Sequence, residues 1–290
     1  MPHQQPVLTV VSEDGHRFEL IEVPALTAEH TLLLLPGMGL SARQYIPFAK
    51  ALAELGTSVY IHEWRGIGAS NLRASRRNDW GYRTLVELDL RASLEAVANR
   101  SHGPILIGGH SLGSQLACLL AARQANHCSG LILLAGGAPH WRQFPLWMQG
   151  VLVPAFRLMP AIAQLVGHYP GKALRFAGRE ARSVIADWAR TGRTGLYEPP
   201  GFGAALEPQL AALQQPVLGL RMANDWYVPQ QSLNYLLAKL PGCSIQAETV
   251  TGSQGKPYDH YRWMAEPEPA VLRIKHWLSD LSQKTAALQH

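Results

Sequence analysis

Cysteine is scarce in this chain of 290 residues. The three present, Cys118, Cys128 and Cys243, are widely spaced and odd in number. That usage fits neither a disulfide framework nor a zinc site, and a reducing cytoplasm is the default compartment. Charge is sparse too, with Asp, Glu, Lys and Arg at 16%. The net charge is +5 and the isoelectric point about 9.2, yet no Lys/Arg tract is present. Nucleic-acid binding asks for a clustered basic stripe, so that class is set aside. No run of eighteen apolar residues occurs, which predicts that nothing spans a membrane. The start, Met1-Pro2-His3-Gln4-Gln5-Pro6, has neither a basic region nor an apolar one, which predicts no secretory leader. Internal repeats and low-complexity tracts are absent as well. What the chain does have is 47% hydrophobic residues, ample for a core, in a length that suits one large domain or a domain with an insertion.

Apolar runs and turn signals alternate along the chain. Val7 to Val11 and Arg17 to Val23 flank Glu13-Asp14-Gly15 and predict a β-hairpin. Thr31 to Leu35 is a continuous apolar run stopped by Pro36-Gly37, as expected of a strand buried on both faces. Ala42 to Leu55 has helical spacing and stops at Gly56, and Tyr82 to Ala98 repeats the pattern. Val59 to His62, Ile105 to Gly108, Leu131 to Leu134, Val217 to Leu220 and Ser244 to Val250 predict further strands. Strands alternating with helices imply an α/β fold with a mostly parallel sheet covered on both faces. The rhythm breaks between Leu134 and Val217, far beyond an ordinary connection. That stretch is rich in aromatics and arginine and is interrupted by Pro139, Pro145, Pro154, Pro160 and Pro170. It predicts a helical cap over residues 138–213, inserted into a core made of residues 1–137 and 214–290. Arg142, Arg157, Lys172, Arg175, Arg179, Arg182, Arg190 and Arg193 outnumber the acids there. A solvated basic surface explains that excess, and so does attraction of an acidic substrate or carrier.

The chemistry centres on Gly109-His110-Ser111-Leu112-Gly113, between an apolar strand and the helix-like Gln115 to Ala122. Strand, Gly-x-Ser-x-Gly, helix is the pattern that lifts a serine hydroxyl to the top of a sheet. A serine hydroxyl needs a base, and the base an orienting acid. The order Ser, acid, His is met by Asp225 after one strand and His260 after the next, at the strand ends where open α/β sheets place their sites. Asp225 also suits a cap for a helix near Pro229. Asp259 and His276 are rivals, the first pointed elsewhere beside His260 and the second mid-helix. The backbone N–H groups of Leu112 and Met38, the latter in Pro36-Gly37-Met38-Gly39, are the candidate oxyanion donors. His110, Trp141, Phe144, Trp147 and Trp226 are candidate substrate contacts, although cap aromatics also serve as the cap's own core.

These residues together resemble the α/β-hydrolase superfamily from about Val7 to the last helix. Leu35-Pro36-Gly37-Met38-Gly39, Trp64-Arg65-Gly66-Ile67-Gly68-Ala69-Ser70, the Ser111 pentapeptide, Asp225 with Val228-Pro229, and His260 carry the likeness. Tyr45-Ile46-Pro47-Phe48-Ala49 ahead of the Arg65 block is similar to a bacterial serine esterase-like branch. The resemblance implies an eight-stranded sheet, a cap after the sixth strand, and no cofactor or metal. The chain departs from the common pattern at Pro36, where many members have His, and at Ser114, where many have Gly. Glu63-Trp64 replaces Asp-aromatic, and Asp259 replaces Gly before the histidine.

The expected activity is hydrolysis of a carboxylic ester or thioester of small-molecule size through an acyl-enzyme on Ser111. An acyltransferase, a thioesterase on an acidic carrier or coenzyme A, and a carbon–carbon hydrolase share the same triad. A binding module with slow or no turnover is the alternative from another class. The sequence leaves the acyl group and the oligomeric state open.

Overall fold

The computed structural model describes residues 5–101, 103–202, 205–253 and 256–287. The first four residues of the start read above lie outside that range. Ten strands run in chain order: β1 Val7–Val11, β2 Arg17–Val23, β3 His30–Leu35, β4 Thr57–His62, β5 Ile105–His110, β6 Gly130–Leu134, β7 Tyr169–Pro170, β8 Arg179–Glu180, β9 Val217–Met222 and β10 Ile245–Val250. The helices are α1 Ile46–Ala53, α2 Tyr82–Thr84, α3 Arg91–Ala98, α4 Leu112–Arg123, α5 Leu146–Val166, α6 Gly171–Leu174, α7 Arg182–Thr194, α8 Leu206–Ala211, α9 Gln230–Leu237 and α10 Glu268–Ala287.

Eight strands form one sheet in the order β1-β2-β4-β3-β5-β6-β9-β10. The β1–β2 and β2–β4 pairs are antiparallel and the remaining pairs parallel. Strand residues alternate between the two faces. Leu33 and Leu35 join one apolar cluster with α3, α4 and α9, whereas Leu32 and Leu34 join another with α1 and α10. The runs are continuously apolar because both faces are covered. From β3 the chain steps to β4 on one side and later to β5 on the other. A crevice opens where the winding reverses in this way, and the loops after β3 and β5 meet there.

The two long predicted helices differ in detail. Residues Ala42–Tyr45 form a capped 3-10 turn before α1, and Pro47 then sets the first turn of the α-helix. Between α2 and α3 the turn widens to a π-helical segment, Leu85–Leu90. Such wide turns are rare and short, and this one includes Asp89, whose side chain is buried in the interior. Asp89 is fully buried and accepts from Arg65 Nε at 2.8 Å and Nη2 at 2.7 Å, from Ser12 Oγ at 2.6 Å and from His16 Nδ1 at 3.0 Å. Arg65 also pairs with Asp14 at 2.7 Å.

Burial pushes the Asp89 carboxyl up, but the bonds from Arg65 and His16 outweigh it and hold the pKa at about 2. The folded pKa thus lies below the unfolded one, so the stabilisation is present above about pH 4 and lost as pH falls towards 2. Asp89→Asn leaves a buried guanidinium short of a charge and is expected to cost about 3–5 kcal/mol in urea unfolding at pH 7. The gap between wild type and variant should close between about pH 4 and 2.

The connection from β6 to β9 holds α5 to α8 and the short antiparallel pair β7–β8. Met159 and Ala163 of α5 pack with Tyr169 and with Ile185 of α7. Leu206 and Leu210 of α8 instead join the main cluster with α4, so the last part of the 138–213 segment lies on the core. By length and composition α5, with a mean hydropathy of 1.3, is apolar enough to cross a membrane, which the run-of-eighteen criterion missed because Gln149, Arg157 and Gln164 interrupt it. In the fold one stripe of α5 is covered by the cap, while Leu146, Trp147, Val151, Leu158 and Leu165 stand exposed.

Candidate active site

Ser111 occupies the turn between β5 and α4 with φ 54° and ψ −115°, a region that costs a side-chain-bearing residue on the order of 1–3 kcal/mol. The surrounding backbone holds it there. Ser111 N–H donates to the Leu134 carbonyl at 3.1 Å, and the first turn of α4 packs hard against the end of β3. A Cβ at Gly113 would run into the carbonyls of Leu35 and Pro36. The second glycine of the motif is therefore set by close approach between the elbow and the loop after β3.

The acid and the base come from neighbouring strand ends. Asp225 Oδ1 accepts from the N–H groups of Tyr227 at 2.9 Å and Val228 at 3.1 Å, which closes the turn before α9. Its other oxygen, Oδ2, lies 2.8 Å from His260 Nδ1. Asp225 thus caps its own turn and holds the imidazole. Both side chains are buried, at 2% and 4% exposure. An ionised carboxylate only accepts, so Nδ1 carries the hydrogen and Nε2 is left as the basic nitrogen. Asp259 is occupied by the N–H groups of Tyr261 and Arg262, and His276 sits exposed on α10.

The loop after β3 is braced from three directions. Gly37 N–H donates to Tyr45 Oη at 2.8 Å, and Tyr45 Oη lies 2.7 Å from His110 Nδ1. The Tyr45 hydroxyl thus joins the Gly37 N–H and the His110 ring in one hydrogen-bonded chain. Burial and the neighbouring His260 push the His110 pKa well down, so His110 is a neutral brace. Trp64 Nε1 donates to the Pro36 carbonyl at 3.1 Å. Finally, Gly39 has φ 74°, and a Cβ there would overlap the backbone of Ala177 and Gly178 in the cap. Met38, between these anchors, packs against both the main core and the cap cluster.

One cavity gathers these parts. Ser111, His260, Met38, Leu112 and His110 line it, together with Phe144, Phe176 and Trp188 from the cap. Gln115, Tyr227 and Tyr261 complete much of the remaining wall. Of the candidate substrate contacts, His110 and Phe144 are therefore at the cavity. Trp147 and Trp226 border a separate surface depression beside Pro145 and Pro229, and Trp141 lies under the Arg142 guanidinium outside the cavity. On α5 the two neighbours face differently: Met148 is buried, whereas Trp147 is 66% exposed. Among the described residues no group of three or more His, Cys, Asp or Glu stands close enough to hold a metal ion.

A family model described as serine aminopeptidase, S33 (Hydrolase_4) matches residues 27–253. The chain belongs to this family. A search of curated proteins found no match. Among solved structures it is similar to a soluble variant of monoglyceride lipase from Saccharomyces cerevisiae, at 17% identity and a TM-score of 0.65, covering 96% of this chain and 97% of that one. It is also similar to a thermophilic esterase from Thermogutta terrifontis, at 19% identity and a TM-score of 0.59, covering 96% and 98%. A third likeness is to DcsB in complex with its substrate analogue, at 13% identity and a TM-score of 0.66, covering 97% and 99%. At these identities the likeness shows the fold, that of an α/β-hydrolase.

The departures of this S33-family chain from the superfamily pattern have local explanations. Ser114 is fully buried and donates to the Gly109 carbonyl at 2.5 Å, which ties the helix back to its strand. Glu63 accepts from Ser41 Oγ at 3.0 Å and Ala42 N–H at 3.2 Å, which anchors the start of the capped turn. Gln115, Phe176, Tyr227 and Tyr261 were not singled out by sequence reasoning. Only Gln115 carried a signal, as a polar residue inside an otherwise apolar helical run.

Proposed function

We propose that this hydrolase cleaves a carboxylic ester or thioester through an acyl-enzyme on Ser111. The carrying observation is the buried Asp225–His260 pair at 2.8 Å, opening onto the same cavity as the serine of the strained elbow. In this reading Ser111 Oγ bonds to the acyl carbon as His260 Nε2 takes its proton. The N–H groups of Leu112 and Met38 hold the oxyanion. The C–O or C–S bond then breaks, and the leaving group receives the proton from His260. Water attacks the acyl-enzyme by the same steps, which releases the acid and restores Ser111.

Against an aminopeptidase reading, no Asp or Glu is among the described residues lining the cavity, so no carboxylate there would pair with the ammonium of a peptide N-terminus. Labelling with a fluorophosphonate tests the proposal. Stoichiometric labelling of wild type and none of Ser111→Ala is the expected result, and an unlabelled wild type refutes it.

A second reading, thioesterase or acyl transfer on an acidic carrier, is favoured by one feature of the cap. Arg157, Arg190 and Arg193 lie close enough to repel. Burial and these two neighbours lower the Arg193 pKa, and none of the three has a carboxylate ion-pair partner among the described residues. Turnover of an acyl-coenzyme A set against a p-nitrophenyl ester of the same acyl group separates the readings. Faster thioester turnover that slows with added salt is expected if the cluster steers an acidic carrier.

A further inference from the structure

One face of α5 is apolar and uncovered. Trp147, Val151, Pro154, Leu158, Ala161 and Leu165 follow one another at intervals of four or three residues. That spacing puts all six on one side of the helix, away from Met159 and Ala163, which pack with Ile185 of α7. All six are exposed, with Trp147 at 66%, Val151 at 59%, Leu158 at 60% and Leu165 at 76%. From Trp147 to Leu165 the stripe runs about 27 Å. Apolar patches of this extent are uncommon on a monomer and mark a surface that meets something else. The surroundings are basic. Residues 138–179 hold Arg142, Arg157, Lys172, Arg175 and Arg179 and no Asp or Glu. Among the described residues none of these five pairs with a carboxylate. Arg157 adjoins Leu158 at the border of the stripe, and Arg193 Nη1 of α7 reaches the Phe156 carbonyl of α5 at 2.6 Å.

We propose that this face of α5 docks on the surface of an anionic lipid bilayer. The stripe enters the boundary between headgroups and acyl chains, and the arginines beside it meet the lipid phosphates. An apolar stripe with Trp and Leu, bordered by arginine, is the composition of a helix that lies in the plane of a membrane. The helix lies on the bilayer and does not cross it, because Met159 and Ala163 on its other side are held by Tyr169 and Ile185. Charge decides between this surface and a second copy of the chain. Phe156 is the middle residue of α5, so two copies crossing there set Arg157 near its own copy, with no acid in residues 138–179 to offset it. A soluble anion uses the arginines alone, whereas a bilayer uses the arginines and the stripe together. Docking of this kind does not involve Ser111, so it stands apart from the acyl-enzyme reading.

Flotation of the full chain with lipid vesicles tests this. Vesicles of phosphatidylcholine with about 30% phosphatidylglycerol are set against vesicles of phosphatidylcholine alone. The anionic vesicles are expected to bind at least about tenfold more tightly, and about 0.5 M sodium chloride to remove most of that difference. Leu158→Asp combined with Leu165→Asp should weaken binding to the anionic vesicles by at least about tenfold. Arg142→Gln and Arg157→Gln should each weaken it by about fivefold. None of these four residues lines the cavity, so melting curves and fluorophosphonate labelling establish that the variants are folded. If the Asp variant does not fold, the two Gln variants and the salt series decide. No binding to anionic vesicles, equal binding to both kinds, or undiminished binding by the folded Asp variant overturns the inference. A wild type that ignores vesicles but sediments as a dimer, and becomes a monomer in the Asp variant, overturns it in favour of a second copy. A wild type that binds vesicles but takes no fluorophosphonate supports the docking face and overturns the acyl-enzyme reading only.

Discussion

Ser111→Ala is expected to lower kcat on any ester turned over by the wild type by about 10⁶-fold, with KM little changed. The direction follows from what the substitution removes. It deletes the proposed nucleophilic oxygen and leaves the cavity wall and the N–H groups of Leu112 and Met38 in place. The residual rate is that of water attack in a site that still binds and polarises the ester. Alanine meets the same strain as serine at φ 54°, so the melting temperature should stay within a few degrees. Pre-steady-state kinetics with a chromogenic ester in excess measure the effect. A burst of one product per enzyme in wild type, absent from the variant, is the specific signature. A variant that keeps more than a hundredth of wild-type kcat would show that the nucleophile lies elsewhere.

Asp225→Asn is expected to cost about 10⁴-fold in kcat with the fold intact. The geometry makes this substitution unusually clean. Asn keeps an oxygen for the N–H groups of Tyr227 and Val228, so the turn after β9 closes as before. The other carboxylate oxygen, at 2.8 Å from His260 Nδ1, becomes an NH₂. An NH₂ facing Nδ1 favours the tautomer with the hydrogen on Nε2, and that tautomer cannot take a proton from Ser111. The imidazolium formed during attack also loses its buried counter-charge. Fluorophosphonate labelling should slow by a comparable factor, while the urea midpoint moves little. A variant within tenfold of wild type would mean that Asp225 serves the turn alone.

Much of this site was legible because its decisive signals are local. Ser111 is announced by glycines that a strand-to-helix turn demands, and Asp225 and His260 each follow a recognisable strand. What was hidden depends on contacts between distant segments. Tyr45 reaches His110 across 65 residues of chain, and Arg65 meets Asp89 across 24. The facing of cap aromatics was hidden for another reason. Trp147 and Met148 are adjacent on an apolar helix, and only tertiary packing selects which of them is buried. Composition marked the segment after β6 as an insertion candidate, whereas packing decides which of its side chains look into the cavity.

The contact between Gly39 and Gly178 ties two tasks together. The loop that supplies the Met38 N–H has no room to shift while the cap hairpin rests on it, and the cap is fastened in turn by Asp187 to the Tyr82 backbone and by Arg179 to the Ala74 carbonyl. Moving residues 177–178 aside to admit a bulky ester would therefore shift the Met38 loop at the same time. A substrate slender enough to enter without displacing residues 177–178 would leave that loop undisturbed.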